Sequence, residues 1–591
     1  MSYCRNIDMH DKYSTRPKPH QLIQPTQHFT PSLTSRSRAL LYGVLLIILL
    51  AGYLLLAEFL GSYVASYTRQ LWLELLLALY MYSLVYIALY PSRWRPYLAA
   101  VPLLLIYLTN DIFYLAYGKV FRLVNLHELP ELIEVLPLIY SILLAVFISL
   151  PIVIFIAHIS WRPGRHILLV ATPLLITVLM FYSFPGTVAH VLEGTSEMVK
   201  YSDAKSVERN GRLTMMLYRE AQRLKAIEDL APYRDRENYE RQVTEQMQAL
   251  EPALDKRNVH LIVLESFLDP RLFSKLSFSS SPVHPEFEAL FGNQLGLSLA
   301  PVFGGATAQA EFEVLCGVPA LERLSSVEFN VFNGSAALCL PGKLAMLGYH
   351  SSASNTYKPN FFNAVAGYQG SGFTVSHFPK EFTALGESYL TFGDPGVEEY
   401  LFDEMLFEQN LGYVKRHLQK FPGKPLFNYL ITIYGHTPHI LDPESRPERI
   451  ELYSDYQDDH LTRATNQFYY RTEAIAKYVN SLVSIDPDSL IILISDHVPP
   501  LRNGPNTYET LDYLDGVKNA YYHNRLAIID RAKPAVWPLI HHHEIPSLIL
   551  NYLSKGTYCE TQHCSFTGDI DTSSEDERLN AYLRLMAHAS E

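Results

Sequence analysis

The chain has 591 residues, 48% of them hydrophobic and only 18% charged, with a formal net charge of −12. That length exceeds one ordinary core, so at least two domains are expected. The acidic balance excludes nucleic acid as the main partner, because that partner calls for a basic face.

Taken in chain order, the first features are apolar runs at 39–59, 71–90, 97–117, 132–158 and 166–184. Each is near the roughly 20 residues that a helix needs to cross a bilayer. Five such runs in close succession are not the pattern of helices buried in a soluble protein, and the first starts too late for a signal peptide. Acids in or near the runs are few: Glu58, Glu74, Asp111 and Glu134. Asp111 follows Asn110 close to the expected outer end of the third run, where interfacial placement accounts for it.

Lysine and arginine in the short loops set the orientation. The tail holds Arg5, Lys12, Arg16, Lys18, Arg36 and Arg38, and the loops after the second and fourth runs hold Arg93, Arg95, Arg162 and Arg165. The loop after the first run holds only Arg69, while Lys119 and Arg122 after the third are a mild exception. An N-terminus in the cytoplasm and five crossings of the inner (plasma) membrane leave everything beyond about residue 190 in the periplasm or outside the cell. The expected organisation is therefore a cytoplasmic tail (1–38), a five-helix transmembrane domain (39–190), a charged juxtamembrane helical linker (191–257), an extracytoplasmic domain (258–560) and an acidic tail (561–591).

From about 258 the pattern changes to strands alternating with helices. VHLIVLESF (259–267), LFNYLITIYGH (426–436) and SLIILISDH (489–497) are continuous apolar runs of strand length. Runs of that kind separated by helical segments predict an α/β domain with a mainly parallel sheet flanked by helices. Cys316, Cys339, Cys559 and Cys564 fall on the outside, an even number in an oxidising space. Cys559 and Cys564 are close enough in sequence to pair, which leaves Cys316 with Cys339. A zinc site from Cys559, His563 and Cys564 is the alternative, and it lacks a fourth ligand. HHHE at 541–544 lies just before IPSLILNYL and reads as a helix cap.

The three strands end in Glu265, in His436, and in Asp496 with His497. Ligands of open α/β sheets bind beyond the carboxyl ends of the strands, so these residues should share one crevice. Acids and histidines together make a mixed oxygen and nitrogen donor set suited to Mn²⁺, Mg²⁺ or Zn²⁺. Thr307 opens the helix-compatible segment TAQAEFEVLCG straight after Gly304, Gly305 and Ala306. A metal lowers the pKa of a coordinated hydroxyl, and a helix N-terminus favours an anionic substrate, so Thr307 fits a nucleophile as well as an ordinary cap.

LIVLESF, GGATAQAEFEVLCGVP, IYGHTPH and ISDHVPP, in this order over roughly 258–555, resemble the alkaline phosphatase/sulfatase superfamily. More narrowly the chain is similar to its lipoteichoic acid synthase and phosphoglycerol transferase branch. The resemblance implies a sulfatase-like fold with a threonine nucleophile at Thr307. It also implies a divalent metal, usually manganese, held by Glu265, Thr307, Asp496 and His497, and a phosphate or leaving-group contact at His436. The cysteine or serine motif that sulfatases convert to formylglycine is missing, so sulfate hydrolysis is not expected.

The implied activity is transfer of a phospho-alcohol headgroup, phosphoglycerol by default or phosphoethanolamine, from a membrane phospholipid to a glycan or polyol through phospho-threonine. The rival readings are a phosphodiesterase with the same nucleophile and a non-catalytic lipid-binding regulator. The headgroup site departs from the branch: its acid and arginine positions become Thr356 and Ala364, with Tyr357 and Lys358 as replacement contacts.

Overall fold

The computed structural model describes residues 71–117, 121–135, 138–161, 165–194, 203–383, 388–564 and 575–591, with isolated positions between 41 and 53 and at 566. The first expected span, 39–59, lies largely outside the described residues.

The other four apolar runs are helical. They form Leu71–Ala88, Arg95–Tyr117, Leu138–His158 preceded by the short helix Leu129–Val135, and Arg165–Ser183. Among the described residues Arg95–Phe113 and Leu138–His158 are long and apolar enough to cross a membrane. Leu168–Ser183 and Pro185–Glu193, bent by 97°, make a third if taken as one span, and Trp72–Ala88 is apolar but shorter. Leu138, Ile139, Leu168 and Leu169 are exposed, as expected of helix faces that contact lipid rather than protein.

The rest is an α/β domain. Its strands in chain order are β1 (Val259–Leu264), β2 (Ser277–Phe278), β3 (Gly296–Leu299), β4 (His350–Asn355), β5 (Val375–His377), β6 (Leu426–Ile431), β7 (Leu452–Tyr453), β8 (Leu490–Ser495), β9 (His523–Asp530), β10 (Lys533–Ala535) and β11 (Ile540–His541). Nine of them form one sheet in the order β11-β3-β9-β8-β1-β6-β4-β5, with β10 on β9, while β2 and β7 make a separate ribbon. β1 runs parallel to β6 and to β8, and β4 runs parallel to β5 and β6, whereas β9 is antiparallel to β3 and β8. The three strands read from the sequence are thus the adjacent centre, β8-β1-β6, and every residue in them is buried.

Alternation along β1 feeds two cores. Leu261 and Val263 join one face with the helices Thr307–Cys316, Leu340–Met346 and Ile545–Leu553. Ile262 and Leu264 join the other, against Asp403–Lys420 and Asp459–Ile485. The first core also takes Ala226, Leu230, Val243, Met247 and Leu250, so the expected linker is integral to the packing of the domain. The amphipathic end expected of the tail is the helix Glu575–Ala589, with Tyr582, Leu583, Leu585 and Met586 inside the same core. Cys316 bonds Cys339 and Cys559 bonds Cys564, which sets the zinc alternative aside. HHHE caps as expected: the His541 N–H donates to Glu544 Oε2 at 2.8 Å, ahead of Ile545–Leu553.

Two acids in the first core keep their protons well above the ordinary carboxylate range. Burial pushes Glu328 up to about 8 and Glu311 up to about 7, from an ordinary value of 4.5. A carboxyl raised in the folded state contributes stability that is full below pH 4.5 and is lost as pH rises through 7 to 8. Thermal melts of the detergent-solubilised protein should therefore show Tm falling between pH 5 and pH 8. Glu328→Gln should remove a share of that pH dependence on the order of 3 kcal/mol, and an unchanged slope in the variant contradicts the assignment.

Candidate functional site

The backbone immediately beyond the central strands builds the crevice. Glu265 follows β1, and the Ser266 backbone turns to φ 47° directly after it. The Ser266 N–H donates to Asp496 Oδ1 at 2.7 Å and its hydroxyl donates to Glu265 Oε1 at 2.8 Å. Asp496 Oδ1 also accepts the His497 N–H at 2.6 Å, while Asp496 Oδ2 is buried with no hydrogen-bond partner. The His497 Nδ1–H donates to the Val498 carbonyl at 3.1 Å, which leaves Nε2 as the lone-pair nitrogen, 3.3 Å from Asp496 Oδ2. Among the described residues, Glu265, Asp496 and His497 are the one set of acids, histidines and cysteines whose ligand atoms come within 4.8 Å of one another, and all three are buried.

Thr307 completes the ring. Its hydroxyl donates to Glu265 Oε2 at 3.0 Å and lies 3.4 Å from His497 Nε2. It is the first residue of the helix Thr307–Cys316, and Ala306, in the left-handed conformation, is the N-cap. Gly304, Gly305 and Ala306 all have positive φ, at 69°, 156° and 59°. A Cβ on Gly304 would also meet Pro500 at 3.0 Å. The two glycines supply a reversal that other residues resist, and Ala306 bears the residual strain of an αL residue.

Burial raises carboxyl pKa values and neighbouring cations lower them. Burial raises Glu265, but the charges of His497 and His436 and the hydrogen bonds from Ser266 and Thr307 bring it below its usual range. Burial and the charge of Glu265 push Asp496 well above the usual carboxylate range. In the metal-free protein the two acids therefore do not ionise together: Glu265 gives up its proton first, and Asp496 keeps its own well above the usual carboxylate range. Two buried carboxylates, an imidazole nitrogen, a hydroxyl and an unpartnered carboxylate oxygen fit a divalent cation.

Behind the ring stands Arg471, from the helix Asp459–Ile485. Its guanidinium donates to Asp403 Oδ2 at 2.7 Å, to the Glu265 carbonyl at 2.7 Å and to Thr432 Oγ1 at 3.3 Å. Thr432 Oγ1 in turn accepts the Glu265 N–H at 3.0 Å. A Cβ on Gly435 would fall 1.9 Å from the Glu265 carbonyl oxygen, so only glycine allows that approach. Sequence reasoning missed Arg471, Asp403 and Thr432, whose partners lie far away in the chain. Ser266 sits inside the LESF motif and was within reach.

His436 lies at the rim, near enough for its charge to act on Glu265, with its ring centroid 5.1 Å from that of Tyr400. The His436 Nδ1–H donates to the Thr437 carbonyl at 2.8 Å, so Nε2 is the atom left to exchange protons. Of the expected headgroup contacts, Tyr357 packs edge-on against Phe361 at 5.0 Å, and its phenol is pushed up to about 12 by burial and then by Glu134. Lys358 pairs with Glu134 of the helix Leu129–Val135 rather than pointing at the ring of ligand atoms. Thr356 is buried and donates to the Ile431 carbonyl at 3.0 Å, and Ala364 is buried at the start of a helix.

Residues 257–553 match the family described as Sulfatase, just over half of the chain. The chain belongs to the sulfatase family. Among curated proteins it is 24% identical over 266 residues to a putative cyclic beta-1,2-glucan modification protein of Rhizobium meliloti (strain 1021), covering 44% of this chain and 38% of that relative. The match thus spans well under half the length of that relative. Similar solved folds include the Streptococcus pyogenes phosphoglycerol transferase GacH in complex with sn-glycerol-1-phosphate. It shows 16% identity and a TM-score of 0.45, with 61% of this chain and 92% of that one covered. The lipoteichoic acid synthase LtaP of Listeria monocytogenes gives 18% identity and a TM-score of 0.41, with 51% and 73% covered.

The sulfatase-family crevice yields a direct test. Ser266→Ala and Arg471→Gln remove groups that orient Glu265 and Asp496, and each should weaken divalent-metal affinity about 10- to 100-fold by calorimetry. Affinity should also rise with pH, because binding displaces the proton that burial and the charge of Glu265 keep on Asp496. Unchanged affinity in both variants, or affinity independent of pH, contradicts the arrangement.

Proposed function

We propose that this sulfatase-family chain is a membrane-bound transferase. It moves a phospho-alcohol headgroup, phosphoglycerol by default, from a phospholipid to a glycan or polyol through a phosphorylated Thr307. The observation that carries the reading is the Thr307 hydroxyl at a helix N-terminus, 3.0 Å from Glu265 and inside the Glu265–Asp496–His497 ring. The name of the Rhizobium relative, a glucan modification protein, fits a glycan acceptor. Residues 39–190 serve as the membrane domain with the N-terminus in the cytoplasm, 191–257 as the junction, and 258–560 as the catalytic domain outside, in the periplasm or extracellular space.

Glu265, Thr307, Asp496 and His497 hold the metal, with manganese first and zinc or magnesium as alternatives. Bound there, the ion supplies Lewis-acid stabilisation of negative charge and a lowered pKa for the Thr307 hydroxyl. The protein does the rest. Thr307 Oγ1 passes its proton to Glu265 Oε2, which returns it when phospho-Thr307 is cleaved, and attacks the phosphorus of the lipid headgroup as the bond from phosphorus to the diacylglycerol oxygen breaks. The backbone N–H groups of the first helical turn favour the anionic phosphoryl group.

His436 Nε2 gives a proton to the departing diacylglycerol oxygen. It then takes the proton of the acceptor hydroxyl as that oxygen attacks phospho-Thr307, which regenerates both groups. Tyr357 and Lys358 at the rim serve as replacement headgroup contacts, because the positions where the related branch has an acid and an arginine are Thr356 and Ala364 here.

Protein incubated with Mn²⁺ and headgroup-labelled phospholipids should release diacylglycerol and carry label on Thr307 by mass spectrometry. Thr307→Ala should lose on the order of 10³-fold or more of the turnover and all of the label. Turnover of no lipid by metal-loaded protein, or label that persists in Thr307→Ala, refutes the reading. His436→Gln should slow an alkoxide-leaving donor on the order of 10²-fold while sparing a nitrophenyl phosphodiester, whose leaving group needs no proton. The comparison is made on the first turnover, before His436 is needed as the base, and equal losses on both donors there would remove His436 from the acid role.

A further inference from the structure

Two acids in the apolar helices play no part in the chemistry above. Glu74 lies in the first turn of Leu71–Ala88 and Asp111 in the last third of Arg95–Tyr117, and both are buried. A carboxylate in such surroundings is costly unless it is well supplied with donors. Glu74 Oε1 accepts the Tyr107 hydroxyl at 2.7 Å and the Leu213 N–H at 3.0 Å, and Oε2 accepts the Thr214 N–H at 2.9 Å and its hydroxyl at 3.0 Å. Asp111 Oδ1 accepts two hydrogen bonds from the Arg212 guanidinium, at 2.9 and 2.6 Å, and Oδ2 accepts the Tyr53 hydroxyl. The Arg212 guanidinium lies 5.1 Å from the centre of the Tyr107 ring.

Apart from the Tyr107 and Tyr53 hydroxyls, the donors that meet these acids are the first three residues of one helix, Arg212–Asp229. Its first-turn N–H groups have no intrahelical partners, and Glu74 takes two of them and faces the positive end of the helix dipole. The fit is close: Gly211, at φ 92°, has no room for a Cβ, which would fall 2.3 Å from the Glu74 carboxyl carbon. The other end of the helix belongs to a different core. Met215, Tyr218 and Ala221 pack with Ala189, Leu192 and Val207, whereas Ala226 and Leu230 belong to the core that also holds Val259 and Leu261 of the central strand β1. The helix is thus a strut of roughly 27 Å at 1.5 Å per residue, pinned at one end in the apolar bundle and at the other in the catalytic core. A second contact reaches the rim of the crevice, where Glu134 of the bundle pairs with Lys358.

We propose that Glu74 and Asp111 are positioning residues for lipid donors. By gripping Arg212–Thr214 they hold the crevice at a fixed height above the bilayer, where a headgroup still attached to its lipid reaches Thr307. The inference rests on the transferase reading above and adds a requirement of its own: the grip matters for donors anchored in a membrane and not for soluble ones.

The test uses the full chain in phospholipid vesicles with two donors, the vesicle phospholipid and a soluble glycerophospho-nitrophenyl diester. Glu74→Gln and Asp111→Asn should lower diacylglycerol release at least about tenfold, as small misplacements do, and leave nitrophenol release within about twofold of wild type. Thr214→Val, which removes a single hydroxyl contact to Glu74 and keeps the shape, should show the same selective loss at smaller size. Equal losses on both donors in all three variants, or no loss on the lipid, overturns the proposal. Wild-type protein that cleaves the soluble diester but no lipid overturns the transferase reading, and the grip proposal with it.

Discussion

Two carboxylates forced together in a dry crevice are the constraint on which the rest of this structure depends. Glu265 and Asp496 end adjacent parallel strands, and that register leaves their side chains no choice but to meet. Like charges at that separation cannot both ionise without a cation between them. The surroundings hold the pair in this unfavourable contact. Arg471 and Thr432 grip the backbone of Glu265, the Ser266 backbone bends to φ 47° so that one residue reaches both acids, and Gly435 vacates the space that a side chain would fill. Of these features, only the Ser266 hydrogen bonds also ease the charge of the metal-free pair. Their shared effect is to fix where its charge points.

Thr307, the proposed nucleophile, is fixed by a related expenditure of backbone strain. Three consecutive residues with positive φ bring the chain into the helix Thr307–Cys316 from a direction that ordinary residues avoid. The far end of that helix is tied by the Cys316–Cys339 bond, and its second turn holds Glu311 between the hydroxyls of Tyr368 and Tyr429. A helix held at both ends transmits its placement to its first residue, so the Thr307 hydroxyl is held in place by more than a single hydrogen bond.

The centre of the sheet was legible in the sequence because β1, β6 and β8 are buried on both faces and have to be continuously apolar. β4 was not. It reads HSSASN, yet it lies between β5 and β6, and two of its three serines have partners, Thr374 for Ser351 and Tyr389 for Ser354. The Glu265–Asp496–His497 cluster was legible because its members follow two of those apolar strands. Arg471 was not, since an arginine in a 27-residue amphipathic helix looks like a solvated residue until its partner 206 positions away is known. The same limit hid the role of Asp111. Its position near a helix end was readable, but its partner Arg212, 101 residues on, was not.

Comparison of the buried acids separates anchors from receptors. Glu74 has four donors shared evenly between its two oxygens, so it satisfies the chain and offers nothing to a ligand. Glu328 has a buried oxygen with no partner, but burial keeps it protonated and no other described acid or histidine joins it in a cluster that could hold a metal ion. Asp496 differs from both. Its two backbone donors load one oxygen only, and the other stays unpartnered beside an imidazole nitrogen and a second carboxylate. An anchor spreads its donors over both oxygens, whereas a receptor keeps one oxygen clear and surrounds it with other lone pairs. By that criterion the acids of the apolar bundle hold the chain together, and those at the strand ends await a cation.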